Sequence, residues 1–173
     1  MNLFDGLHLY EIVLLILGTL FFLVLLVLLI VSILRNRSVT AFILLFPVSI
    51  VMIGFPAVSK VKFDKDGVEI DKITKDLVEN PSNIELKTKL EELVQQAAPR
   101  FSESQHGLVK IARAEAVLGK QEKAVKTLDQ ALLRNPQSAA AKDLRTRLET
   151  VPPSNAAAIR EAVSANLAAG ERK

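Results

Sequence analysis

The stretch Ile12-Val-Leu-Leu-Ile-Leu-Gly-Thr-Leu-Phe-Phe-Leu-Val-Leu-Leu-Val-Leu-Leu-Ile-Val-Ser-Ile-Leu34 contains no charged residue. After the short basic break Arg35-Asn36-Arg37-Ser38, a second uncharged and largely apolar stretch runs from Val39 to Ser59. An α-helix rises ~1.5 Å per residue and the hydrocarbon core of a bilayer is ~30 Å thick, so about 20 apolar residues cross it. Both stretches are long enough. Lipid offers the backbone no hydrogen-bond partners, and the connection is short. Two antiparallel transmembrane helices are therefore predicted, over about residues 12–34 and 39–58, joined outside the hydrocarbon. Residues 1–59 are thus expected to form a transmembrane helical hairpin.

A removable signal peptide fits the first stretch poorly. Met1 to Glu11 carries Asp5 and Glu11 but no Lys or Arg, and the apolar run exceeds the ~7 to 15 residues of a signal-peptide core. The second stretch carries Pro47 and Pro56. Proline removes a helical hydrogen bond, so a kink is expected near Pro47, with the freed carbonyl met by Ser49, Thr40 or the partner helix. Neither predicted span contains Asp, Glu, Lys, Arg or His. Intramembrane ionisable residues are the usual mark of an ion or proton pathway, so a transporter is not indicated.

Basic residues flanking a span favour the cytoplasm, and here they give two answers. Arg35 and Arg37 favour a cytoplasmic loop, whereas Lys60, Lys62, Lys65, Lys72 and Lys75 favour a cytoplasmic C-terminal part. The sequence leaves the side open. The expectation is an integral protein of a bacterial-type cytoplasmic (inner) membrane.

The remainder, Lys60 to Lys173, carries all but two of the 22 Lys and Arg and all but two of the 19 Asp and Glu. Charge alternates in sign along it and forms no basic block, so no nucleic-acid footprint is indicated. There is no cysteine, which excludes disulfides and thiolate metal sites.

Residues 60–71, Lys-Val-Lys-Phe-Asp-Lys-Asp-Gly-Val-Glu-Ile-Asp, alternate with period two around Asp66-Gly67, the pair that a tight hairpin turn prefers. This predicts a short juxtamembrane β-hairpin with Val61, Phe63, Val68 and Ile70 on one greasy face. Asp64-Lys65-Asp66-Gly67 also looks like the start of a calcium loop. The spacing fails, because Val68 and Glu69 stand where such a loop needs an oxygen ligand and a glycine.

From Lys72 onward apolar residues recur at helical spacing. Asn80-Pro81 closes a first short helix, and Ser82-x-x-Glu85 reads as a capping box. The next helix would bury Leu86, Leu90, Leu93, Val94 and Ala97 and end near Pro99. Phe101 and Ser102-x-x-Gln105 read as a staple residue and a second capping box, opening a helix with Leu108, Ile111, Ala112 and Leu118 inward. Gly119-Lys120 breaks it. Ala124, Val125, Leu128, Ala131 and Leu132 mark the next helix, which Asn135-Pro136 stops. Two amphipathic pieces follow, with Ala141, Leu144 and Leu148 and then Ile159, Ala162, Val163 and Leu167. The last, within residues 151–173, is an Ala-rich C-terminal helix or tail after Pro152-Pro153.

Gln105 to Ser138 spans the ~34 residues of one tetratricopeptide repeat, and the residues at Leu108, Ile111, Ala112, Gly119, Ala124, Leu128, Ala131 and Pro136 resemble that family's pattern. Glu115 departs from it, standing where the family usually has an aromatic. The resemblance implies a small TPR-like α-solenoid over residues 72–150, with Ser82 to Ala97 stacked before the repeat and Ala139 to Thr150 capping it. A lone repeat cannot bury its own apolar face. The fold class expected for the whole chain is mainly α: transmembrane hairpin, short β-hairpin, then TPR-like solenoid.

The resemblance also implies a partner groove lined by first-helix residues, here His106, Val109, Lys110, Arg113, Ala116 and Val117. Lys110 and Arg113 would make it basic and suit an acidic peptide or a C-terminal carboxylate. Catalytic signals are few: His8 and His106 are the only histidines, and there is no Gly-rich phosphate loop and no HExxH. No enzyme, cofactor or metal is expected.

Two function classes follow. In the first, a membrane-anchored scaffold or adaptor binds one or more proteins through its helical domain, with self-association as a further option. In the second, the hairpins assemble into a membrane-active or pore-forming oligomer. The apolar spans favour the first, because a wet pore needs polar lining.

Overall fold

A computed structural model of the chain describes residues 9–35 and 40–170, leaving aside the side chains of residues 40–43. The expected loop residues Asn36 to Ser38, His8 and the terminal Glu171 to Lys173 lie outside the described residues. Among those described there are seven helices: α1 (Leu9–Leu34), α2 (Thr40–Glu79), α3 (Ile84–Phe101), α4 (Gln105–Val117), α5 (Gln121–Arg134), α6 (Ala139–Thr150) and α7 (Ala156–Gly170). They form two compact units, one ending at Lys62 and the other beginning at Phe63.

In the first unit, α1 pairs antiparallel with the first part of α2. The buried residues of α1 are Glu11, Gly18, Leu25 and Ser32, spaced by sevens, the repeat of a seam between two helices packed at a shallow angle. Gly18 lies so close to Met52 that a Cβ there would stand 2.9 Å from the Met52 Cβ. Phe22 meets Phe46 edge to face at 5.5 Å between ring centroids. Leu and Val side chains such as Leu17, Leu20, Leu23 and Val27 point away from the seam and are more than half exposed. Both α1 and α2 are long and apolar enough to cross a membrane. Helix α1 starts earlier than the predicted span, so Glu11 falls inside it and is buried. Ser49 donates to the Phe46 carbonyl at 2.8 Å within its own helix, and α2 runs on through both Pro47 and Pro56.

The expected β-hairpin at residues 60–71 is not formed, and among the described residues there is no strand. These residues belong to α2. Phe63, Gly67, Ile70, Thr74 and Leu77 are buried, following one another by four, three, four and three residues, which is a helical stripe. Val61 and Val68, which a hairpin would place on the greasy face, are each 67% exposed. The apparent alternation mixes the inward Phe63 and Ile70 with the outward Val61 and Val68, two valines on the exposed side of the helix that happen to fall in a period-two register. Asp66-Gly67 is not a turn either, since Gly67 sits inside the helix against the Lys110 side chain.

In the second unit consecutive helices pack on one another, and α7 returns to pack on α4 as well as on α6. One apolar cluster joins the end of α2 to α3 and α4 through Phe63, Ile70, Leu77, Leu90, Val94, Phe101 and Ile111. There the Phe63 and Phe101 rings meet at a tilt of 57°, 4.5 Å between centroids. A second cluster joins α4 to α5, α6 and α7 through Leu108, Ala112, Leu128, Leu144, Leu148, Ile159 and Val163. Helix α4 serves both, and nine of its 13 residues are buried. Ala112, Ala114 and Ala116 are small enough for neighbours to crowd it from more than one side.

The helix boundaries differ from those that turn chemistry suggests. The side chain that caps α3 is Asn83, accepting from the Leu86 amide at 3.1 Å, not Ser82. Helix α3 passes Pro99 and ends at Phe101. Ser102 closes α3, while Ser104 caps α4 by accepting from the Gly107 amide at 3.2 Å. Gly119, at φ +80°, makes the left-handed turn between α4 and α5 that glycine adopts without steric cost.

Candidate functional site

Lys110 and Arg113 lie one helical turn apart on α4, so both side chains leave the same face. What they meet is not legible from spacing. The Lys110 ammonium pairs with the Asp71 carboxylate of α2 and donates to the Gly67 carbonyl at 3.0 Å. The Arg113 guanidinium reaches the other Asp71 oxygen at 3.5 Å. Two cations therefore share one carboxylate.

Arg113 is 7% exposed. Burial lowers its proton affinity, while the charge and hydrogen bond of Asp71 act in the opposite sense. A guanidinium stays protonated under such pressure at neutral pH, so its donors need acceptors. Asn166 of α7 supplies two, its Oδ1 at 2.9 Å from Nε and its main-chain oxygen at 3.2 Å from Nη2. The Asn166 amide in turn donates to the Ala140 carbonyl at 3.0 Å and to Asp143 Oδ2 at 2.9 Å, both on α6. Arg147 Nε closes the chain on Asp143 Oδ1 at 2.8 Å. Burial pushes the Asp143 carboxyl up, but the hydrogen bonds from Asn166 and Arg147 and the Arg147 charge outweigh it and hold it below its ordinary value.

The six residues expected to line an open groove are thus placed unevenly. His106 is exposed in the first turn of α4. Val109 and Ala116, at 3% and 1% exposure, lie in the apolar cluster that also holds Ile159 and Val163. Val117 is partly buried against both clusters. Lys110 and Arg113 are covered by contacts from α2 and α7. The chain itself occupies this face.

Asp71, Asn166 and Asp143 are not singled out by the sequence reading. Asn166 does carry a signal: it continues the stripe Ile159, Ala162, Val163 at helical spacing, so a carboxamide stands where an apolar residue is expected. Glu115 is a second case. It is 2% exposed, accepts from Thr127 Oγ1 at 2.7 Å and pairs with Lys123 at 2.9 Å. The departure from the repeat pattern there is a polar tie between α4 and α5. Among the described residues no group of three His, Cys, Asp or Glu is placed to hold a metal ion. No family model, curated protein or solved structure significantly matches this chain.

Proposed function

We propose that this chain is a membrane-anchored protein–protein interaction or assembly protein, in which the α1/α2 hairpin holds a TPR-like helical domain at the bilayer. The observation that carries the anchoring is the inverted polarity of the hairpin. Gly18, Ser32, Ser49 and Ser59 are buried in the first unit together with Glu11 and a single aliphatic residue, Leu25, among the described residues, while most Leu, Ile and Val side chains lie on its outside. A water-soluble hairpin buries its aliphatic residues, whereas helices packed in lipid bring small and hydroxyl residues together and turn aliphatic ones outward.

The recognition half of the reading is supported by helix pairing. Ala112, Ala124 and Ala131 are fully buried at the packing of α4 on α5, the positions at which tetratricopeptide repeats carry small residues. Partner recognition is assigned to the α4 face that carries Lys110 and Arg113. Tethering raises the effective concentration of such a face for partners at the same bilayer.

The test uses the full chain. Chemical cross-linking in native membranes should yield a defined protein adduct, lost on substitution of both Lys110 and Arg113 by Gln, while liposomes holding the purified chain retain an entrapped dye. Dye leakage without any such adduct would overturn this reading in favour of a membrane-active oligomer.

A further inference from the structure

The environment of Asn166 is two-sided. On one side the Arg113 guanidinium can only donate. On the other, the Ala140 carbonyl and the Asp143 carboxylate accept, at 3.0 and 2.9 Å. Asn166 is 1% exposed and Arg113 7%, while the Asp143 side chain at the edge of the site stays partly exposed.

A group that fills such a slot must accept towards Arg113 and donate towards α6 at once. A primary carboxamide does both with one planar group. A carboxylate would satisfy Arg113 but set a second anion against Asp143, and an aliphatic group would leave the buried Arg113 Nε–H without its acceptor and Asp143 Oδ2 without a donor, although Arg113 keeps Asp71 and Asp143 keeps Arg147. The acidic ligand that two neighbouring cations suggest is therefore disfavoured at Arg113. The apolar part of the slot is equally defined: Ile159, Ala162 and Val163, seven, four and three residues before Asn166, are all buried.

The segment now in the slot is joined to α6 only by the non-helical residues Val151 to Asn155, two of them proline. Helix α7 packs on α4 and α6, and its outward side, Glu161, Ser164, Ala168 and Ala169, is exposed. It thus covers the Arg113 part of the α4 face to which partner recognition is assigned, while Lys110 is held by α2.

We infer that the surface beneath α7 is a helix-receiving site selective for a carboxamide, with α7 as its resident occupant. A partner helix bearing Asn, with aliphatic residues three and seven positions before it and a small residue four before, displaces α7. This rests on the proposed interaction function and names both the partner's chemistry and the restraint on its binding.

The probe is a labelled peptide of residues 155–170 of this chain, added to the full chain in lipid nanodiscs. The Asn166→Ala chain, whose resident helix is loosened, should bind it at least ~10-fold more tightly than the wild type, and a peptide with Asp or Leu in place of Asn166 should lose at least ~10-fold. Hydrogen exchange on the wild-type chain is the second measurement and does not depend on the variant folding. Amides of α7 should exchange faster than those of α4, and excess peptide should accelerate α7 further while α4 stays protected. Absence of peptide binding, equal binding of the Asp peptide, or unchanged α7 exchange in excess peptide would each overturn the inference. Peptide exchange without a protein adduct in native membranes would instead sink the proposed function and leave the slot standing.

Discussion

The Lys110 ammonium donates at 3.0 Å to the main-chain oxygen of Gly67, a carbonyl in the interior of α2. Lysine lies against the glycine because there is no side chain in the way. A Cβ at Gly67 would meet the Lys110 Cδ, Cε and Nζ at 3.4 Å, the edge of ordinary contact with the end of a flexible side chain. Gly67→Ala is therefore expected to gain helix stability of about 0.5–1 kcal/mol from reduced backbone entropy. Thermal unfolding of the two proteins checks it, and a lower midpoint for the alanine variant would contradict it.

Gly107 should behave in the opposite way. A Cβ there would stand 2.7 Å from the Phe101 carbonyl oxygen and 2.8 Å from its Cα, and these are backbone atoms of a residue buried in the core. Neither can swing aside. Gly107→Ala should destabilise by about 1–3 kcal/mol, the usual range for overpacking, read as a fall in the urea midpoint.

Thr127 isolates the polar tie between α4 and α5. Valine has nearly the same shape but cannot donate to the buried Glu115 Oε2, now 2.7 Å from the Thr127 hydroxyl. Hydrogen bonds to charged groups contribute about 1.5–3 kcal/mol, so Thr127→Val should cost that much. Combining it with Glu115→Leu should cost less than the sum of the two single changes, because the second removes the carboxylate whose Oε2 the first leaves without a donor.

In the hairpin, Gly18→Val would drive two methyl groups into Met52, where even a Cβ would stand at 2.9 Å. The chain contains no cysteine, so Phe22→Cys with Phe46→Cys reports the spacing of the helices without background. Cross-linking of that pair by a short bifunctional thiol reagent should proceed readily while Gly18 is kept and fall several-fold when Gly18→Val is added. Equal yields would show that the seam is not set at Gly18.

Asp143 sets a pH dependence for the attachment of α7. Its folded pKa lies below the ordinary carboxylate value, since the Asn166 and Arg147 contacts outweigh the opposing effect of burial. Stabilisation from a depressed carboxylate is fully present above the unfolded pKa, about 4, and is lost as pH falls through the lower folded value. Protection of α7 amides should accordingly weaken below about pH 4, and Asp143→Asn should flatten that response.

Much of the fold is legible directly. Helix periodicity places most of the buried apolar residues of α3, α5, α6 and α7 but not the buried Gln121, Thr127 and Asn166, and Gly119 and Pro136 mark real stops, because these signals are local: the period of a helix and the conformational limits of glycine and proline act within a few residues. Expectation and structure part where two local signals compete. Asp66-Gly67 and a short alternation imitate a hairpin, and only the packing of Phe63, Ile70 and Leu77 against α3 and α4 selects the helix. Ser82 and Ser102 are sound caps in isolation, yet Asn83 and Ser104 do the capping, because tertiary packing sets where each helix starts.

The sequence by itself determined that the chain is mainly helical and that its first part carries two apolar helices of membrane-spanning length, since both follow from hydrophobic pattern and rise per residue. It also brought Lys110 and Arg113 to one face of one helix. Only the tertiary structure decided what that face meets. Asp71 and Asn166 stand 42 and 53 residues from Arg113 in the chain, and a hydrogen bond between residues so far apart depends on how the helices pack, which no local periodicity encodes.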